Sequence, residues 1–83
     1  MMYSVLVEVR LREGVADPEG TTVQRSLPAL GFEGIDDVKV GKAIRFTLEA
    51  PDEDAARSRV EDLCARFLTN PVIEDSMIVL EAA

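Results

Sequence analysis

Hydrophobic and polar positions alternate over residues 2–12. Tyr3, Val5, Val7, Val9 and Leu11 fall on one side, and Met2, Ser4, Leu6, Glu8, Arg10 and Arg12 on the other. A period of two with β-branched residues predicts a strand with one dry face and one mostly wet face. "DPEG" at 17–20 then predicts a helix start. Asp17 can cap the first turn, Pro18 fits the first helical position, and Glu19 complements the positive helix end. Val23, Leu27 and Leu30 form an i, i+4, i+7 stripe, and Gly31 is placed to end the helix. Gly20 weakens the first turn. Pro28 cannot donate to the carbonyl of Gln24 and crowds it, which predicts a kink or an early end near Leu27.

Residues 35–49 predict two strands around a tight turn. Val38 and Val40 alternate on the first, and Ile44, Phe46 and Leu48 on the second. Gly41 and Lys42 lie between, with glycine expected to supply a positive φ. "PDEDAARSRVEDLCARFLTNP" predicts a second helix, capped by Asp52 and ended by Asn70–Pro71. Its apolar stripe is Ala56, Val60, Leu63, Cys64, Phe67 and Leu68. The last strand, predicted over 72–81, breaks the alternation, because Met77, Ile78, Val79 and Leu80 are consecutive. A strand apolar on both faces is buried on both or meets another chain, so these four residues are the candidate oligomer interface.

The element order is βαββαβ. Short connections and right-handed crossovers then predict an α+β two-layer sandwich. It is expected to hold a mainly antiparallel four-stranded sheet with two helices on one face, in a single domain over 1–83.

Eighty-three residues bury only ~60–65% of the surface exposed by the unfolded chain, so a domain this small gains from a staple. The single cysteine excludes an internal disulfide, and there is no histidine. Neither a disulfide nor a metal cluster is therefore expected, and association between copies is the staple that remains. The net charge of −7 repels phosphates and anionic lipid, so nucleic acid and membrane are not expected partners. No apolar run approaches the ~20 residues of a membrane span. "MMYSVLVEVRLR" lacks a basic leader region and a cleavage-like site. Together with the lone thiol this predicts a cytoplasmic protein.

Catalytic equipment is sparse. Without histidine there is no Ser–His or Cys–His nucleophile pair. Cys64 falls on an apolar stripe and is expected in the core. The acid pairs Asp36–Asp37 and Glu74–Asp75 are sequence neighbours, which in a strand point to opposite faces, so neither makes a shared site by itself. "VGK" at 40–42 lacks the further glycines of a phosphate loop and opens a strand rather than a helix. No catalytic residue is expected.

Five pieces occur in order: a first strand, "DPEG" (17–20), "LPALGF" (27–32), "VKVGK" (38–42) and "NPVIED" (70–75). In this combination and spacing the chain resembles PurS, the small subunit of phosphoribosylformylglycinamidine synthase, from residue 3 to about 81. Ser76 stands where an aromatic often follows the acid pair, and Glu19 where Gln is common. The resemblance implies a non-catalytic subunit of an ATP-dependent ligase complex in purine biosynthesis. It implies two partners, the synthetase subunit PurL and the glutaminase subunit PurQ, and a homo-oligomer, dimer or tetramer. ATP and Mg would be used by the synthetase, with no cofactor on this chain and a part for it in ammonia transfer. Gly41, Lys42, Asn70, Glu74 and Asp75 become candidate partner-binding residues. Asp17, Pro18 and Gly20 become structural residues fixing the start of the first helix.

Two other functions share the element order. A small-molecule regulatory module of the βαββαβ kind usually sits beside an enzyme domain and offers glycine-rich ligand turns. An acylphosphatase-type enzyme needs an anion-cradling loop with an arginine after the first strand. Here that loop, "EGVADPEG", is acidic.

Overall fold

The computed structural model describes residues 1–83. The alternating N-terminal segment forms β1 (Met2–Leu11). Tyr3, Val5, Val7 and Val9 are all buried on one face. β1 is the central strand of a three-stranded antiparallel sheet, flanked by β2 (Lys42–Glu49) and β3 (Glu74–Ala82). Val7 stands opposite Ile44 on one side and Ile78 on the other. The apolar faces of all three strands therefore line up, and α2 (Glu53–Leu63) packs across them.

Helix α2 begins where Asp52 accepts the amide of Ala55 at 2.7 Å. It buries Ala56 and Val60. A π turn (Cys64–Leu68) continues it and buries Cys64. Thr69 closes that turn, donating both its amide, at 3.1 Å, and its hydroxyl, at 2.8 Å, to the Cys64 carbonyl. Val5, Val7, Val9, Val60 and Cys64 form the main core, edged by Phe46, Leu68 and Leu80 among others. Each fully buried valine side chain contributes roughly 1.5–3 kcal/mol from removal of apolar surface from water. At the other end of the sheet, Met1 and Ala50 exchange two backbone bonds at 2.9 Å, which fixes the chain's first residue to the end of β2.

Helix α1 (Pro18–Ser26) starts at the Asp17 cap and stops one residue before Leu27. A 3₁₀ turn (Pro28–Leu30) follows and ends at Gly31, in the left-handed region at φ 89°. The early end near Leu27 thus follows from Pro28.

Three expectations are corrected. The sheet has three strands, not four, because residues 35–41 do not join it. Gly41 and Lys42 do not form a hairpin turn. Gly41 lies outside the positive-φ set, and Lys42 opens β2 directly. A Cβ on Gly41 would come 2.7 Å from the Val9 carbonyl oxygen, so close backbone approach is what requires glycine there. The apolar stripes are only partly buried. Leu63, the last residue of α2, is 38% exposed, and Phe67, within the π turn, 80%. On α1, Val23 is 45% exposed and Leu30 69%. α1 makes no substantial contact with any strand. The molecule is accordingly long, 52 × 27 × 15 Å, with a radius of gyration of 16.4 Å. A compact chain of this length would have about 12 Å.

Candidate functional site

The first surface is where α1 meets the segment leading into β2. Pro18 pre-forms the first helical turn and leaves the Asp17 side chain directed back at the open amides. Asp17 Oδ1 accepts the Gly20 amide at 2.9 Å, and Oδ2 accepts the Val40 amide at 2.8 Å. One buried carboxylate thus caps the helix and anchors a segment 23 residues away. Its pKa is held below the usual carboxylate value, first by the Gly20 N–H and then by that of Val40. Burial opposes the shift, and nearby Lys39 adds to it. Gly20 lets the two pieces approach, since a Cβ there would stand 2.3 Å from the Val38 carbonyl oxygen.

Gln24 completes this attachment. Its Oε1 accepts the Val38 amide at 3.1 Å, and its Nε2 donates to Asp36 Oδ1 at 2.8 Å. The same Asp36 oxygen accepts the Asp37 amide at 2.8 Å, where Asp37 takes a left-handed φ of 53°. Sequence reasoning missed Gln24. The available signal was its spacing: seven residues after Asp17 places both on one helix face. The amides of Val38 and Val40 are therefore bonded to α1 side chains and not to a neighbouring strand. That explains why 35–41 does not become a strand.

The second surface is the turn into β3. Asn70 and Glu74 exchange bonds: the Glu74 amide donates to the Asn70 carbonyl at 2.8 Å, and the Asn70 amide to Glu74 Oε1 at 2.7 Å. Asn70 Oδ1 also accepts the Val72 amide at 3.2 Å. Asp75 points elsewhere, to Arg12 at 3.4 Å. The two adjacent acids thus have separate jobs, one within the turn and one across to the end of β1.

Along β3, Ile78 and Leu80 face α2 and are half-buried, whereas Met77 and Val79 face away and are exposed. Leu6 stands beside Val79 on that outer face. Lys42 is exposed at the start of β2, and Gly41 beside it lies against β1. The candidate partner residues therefore fall into two groups, Gly41–Lys42 and Asn70–Asp75. Both border the end of β1, because Lys42 pairs with Val9 and Glu74 with Leu11.

Beside Gly41, at the end of β1, lies a recess of mixed charge, lined by Arg10, Arg12, Lys39, Glu8 and Asp37 among others. Its cations are paired: Arg10 with Glu8 at 2.8 Å, Lys39 with Asp37 at 3.5 Å, and Arg12 with Asp75. Exposed pairs of this kind contribute little to stability, but they fix the pattern of charge that a partner meets. Cys64 is buried in the core, out of reach of a substrate. The arrangement suits recognition by surface and charge.

Known proteins match this chain over nearly its whole length. The family model PurS, described as phosphoribosylformylglycinamidine (FGAM) synthase, matches residues 4–82. The phosphoribosylformylglycinamidine synthase subunit PurS of Methanocaldococcus jannaschii is 40% identical over 80 residues, 96% of each chain. The crystal structure of PurS from that organism superposes with a TM-score of 0.87 at 37% identity, covering 98% of both chains. A chain in the structure of PurLQS from Thermotoga maritima superposes with a TM-score of 0.90 at 27% identity, covering 98% of this chain and 99% of that one. With α2 over an antiparallel sheet, α1 beside it and this match from end to end, the chain belongs to the PurS family of phosphoribosylformylglycinamidine synthase subunits.

Proposed function

We propose that this chain is a non-catalytic subunit of phosphoribosylformylglycinamidine synthase in purine biosynthesis. It brings together a PurL-type synthetase subunit and a PurQ-type glutaminase subunit. The observation that carries this reading is the likeness, at a TM-score of 0.90, to a chain of a PurLQS structure. In this reading ATP and Mg are used on the synthetase, this chain binds no cofactor, and it supports the passage of ammonia from glutaminase to synthetase in the cytoplasm. No helix is long and apolar enough to cross a membrane.

The partner-facing surface in this reading is the end of the sheet that carries Gly41, Lys42, Asn70, Glu74 and Asp75. The exposed apolar residues Met77 and Val79 support a homo-oligomer, since a chain this small gains stability by covering them. Ile78 and Leu80 back them from the core side. Reconstitution tests the proposal. Synthetase and glutaminase are assayed for glutamine-dependent synthesis with and without this chain. Activity is expected only with it, and equal activity in its absence rules the reading out.

A further inference from the structure

The recess beside Gly41 is of ligand size. It holds about 510 Å³, within the ~300–1,000 Å³ of small-molecule sites. Leu11, Val15 and Val40 give it an apolar wall, and the rest of its side chains are charged. Most of those charges are already engaged. Arg10 is bonded to Glu8 at 2.8 Å, and Lys39 is paired with Asp37 at 3.5 Å. Both oxygens of Asp17 are taken by the amides of Gly20 and Val40. Arg12 and Glu13 are different. Arg12 reaches only Asp75, which lies outside the recess, and at 3.4 Å this contact is longer than the ~2.7–3.2 Å of an N–H···O bond. Glu13 has no ion-pair partner.

The backbone beneath these two residues is held. The Arg12 amide donates to the Ile73 carbonyl at 2.7 Å, and the Arg12 carbonyl accepts the Val15 amide at 3.1 Å. The second bond closes a turn over Gly14, which takes a φ of 85°. A fixed turn thus brings a guanidinium with unused donors and a carboxylate with no cation into one recess, beside an apolar wall.

From this we infer that the recess binds a free α-amino acid with an apolar side chain. Arg12 donates to the ligand carboxylate, Glu13 accepts from its ammonium group, and its side chain lies against Leu11, Val15 and Val40. Charge selects this class. A simple anion leaves Glu13 facing it, and a simple cation leaves Arg12 facing it, whereas a zwitterion answers both. Arg10–Glu8 and Lys39–Asp37 are each neutral as pairs, so a charged ligand side chain finds no counterpart. The ligand competes with Asp75 for Arg12, and binding therefore changes the charge shown at the end of the sheet. That consequence for assembly rests on the proposed function, which places Asp75 on the partner surface; the binding itself does not.

Amide NMR of the full chain tests it, with L-leucine as the probe. Leucine is expected to shift the Gly14 and Val15 amides saturably. Isocaproate lacks the ammonium group and isoamylamine the carboxylate. Each loses one charge-assisted bond and is expected to bind roughly tenfold more weakly. Arg12→Gln and Glu13→Gln should weaken leucine binding to a similar degree with unchanged circular dichroism, since both side chains are exposed. Asp75→Asn, which removes the competitor for Arg12, should tighten it. No saturable shift with leucine, or equal binding of isocaproate, overturns the site. The analogue series uses the wild-type chain, so it decides the matter even where a variant fails to fold. The synthase reading is scored separately by reconstitution, so either idea can fail without the other.

Discussion

The Asp17 carboxylate accepts the Val40 amide at 2.8 Å across 23 residues of sequence, while its other oxygen caps α1 at Gly20. Both bonds are stronger to the ionised form, and the folded pKa is lowered accordingly, chiefly by the Gly20 and Val40 amides. The sign follows. A lowered folded pKa means that the contribution is fully present above the unfolded value, about 3.9. It is lost as pH falls from there through the folded value. We expect the Gly20 and Val40 amide resonances to titrate together in that acid window by NMR. In Asp17→Asn this joint titration should vanish and the melting temperature at neutral pH should fall. Amides that stay constant down to the acid limit would contradict the assignment.

Gly20 and Gly41 test close approach. A methyl group at Gly20 would meet the Val38 carbonyl oxygen at 2.3 Å, and one at Gly41 the Val9 carbonyl oxygen at 2.7 Å. Both obstacles are backbone and cannot rotate aside. Overpacking of this kind costs about 1–3 kcal/mol. Urea unfolding at fixed chain concentration should show that loss for Gly20→Ala, although alanine is the better helix former. For Gly41→Ala the loss should come with a weakened start of β2, seen as faster amide exchange at Lys42 and Ala43. A neutral or stabilising Gly20→Ala would mean that the 38–41 segment does not lie against the helix.

What could be read from sequence was local. Alternation located β1, and the caps at Asp17 and Asp52 located both helix starts, because each signal lies within a few residues of its effect. Pro28 likewise announced the early end of α1. The burial of Cys64 followed from its helical spacing with Val60 and Ala56. The missing fourth strand was not legible. Val38 and Val40 alternate as a strand would, but their amides are taken by Asp17 and Gln24, and nothing in the 35–41 segment itself announces acceptors from another element. Gly41 was misread for a related reason: a glycine needed for close approach looks the same in sequence as one needed for a turn. At the partner-facing end, the adjacency of Glu74 and Asp75 was visible, but their division into a turn staple and a cross-strand ion pair depends on the backbone of the turn.

Cys64 gives a direct report on the core. It is 3% exposed among Val5, Val7, Val9 and Val60. A thiol reagent should therefore react only as fast as the fold opens, and labelling should accelerate with urea in step with unfolding. Cys64→Ser, which puts a hydroxyl into that apolar site, should cost about 1–3 kcal/mol. Rapid labelling under native conditions would show the thiol to be accessible.

Asn70 and Glu74 can be separated from Asp75. Glu74→Ala removes the acceptor of the Asn70 amide and should cost about 0.5–1.5 kcal/mol. Glu74→Gln keeps an acceptor and should recover most of that. Asp75→Lys should leave stability within about 0.5 kcal/mol, since its pair with Arg12 is exposed. If the end of the sheet meets the larger subunits, Asp75→Lys should instead raise the concentration of chain needed for half-maximal reconstituted activity. An Asp75→Lys chain that unfolds, or that reconstitutes as well as wild type, would remove Asp75 from the partner surface.

Ile78 and Val79 are neighbours with opposite surroundings. Ile78 packs against the core that α2 covers, whereas Val79 faces away from α2 and is 48% exposed, beside Leu6 and Met77. A charge at Ile78 must be buried without a partner, so Ile78→Asp should unfold the chain and expose Cys64 to labelling. A charge at Val79 is solvated in the single chain and is buried only when that face meets another copy. Val79→Asp should therefore keep the native circular dichroism and Cys64 protection while lowering the mass in solution at least twofold. A Val79→Asp chain that keeps its full mass would leave the outer sheet face without a role in assembly.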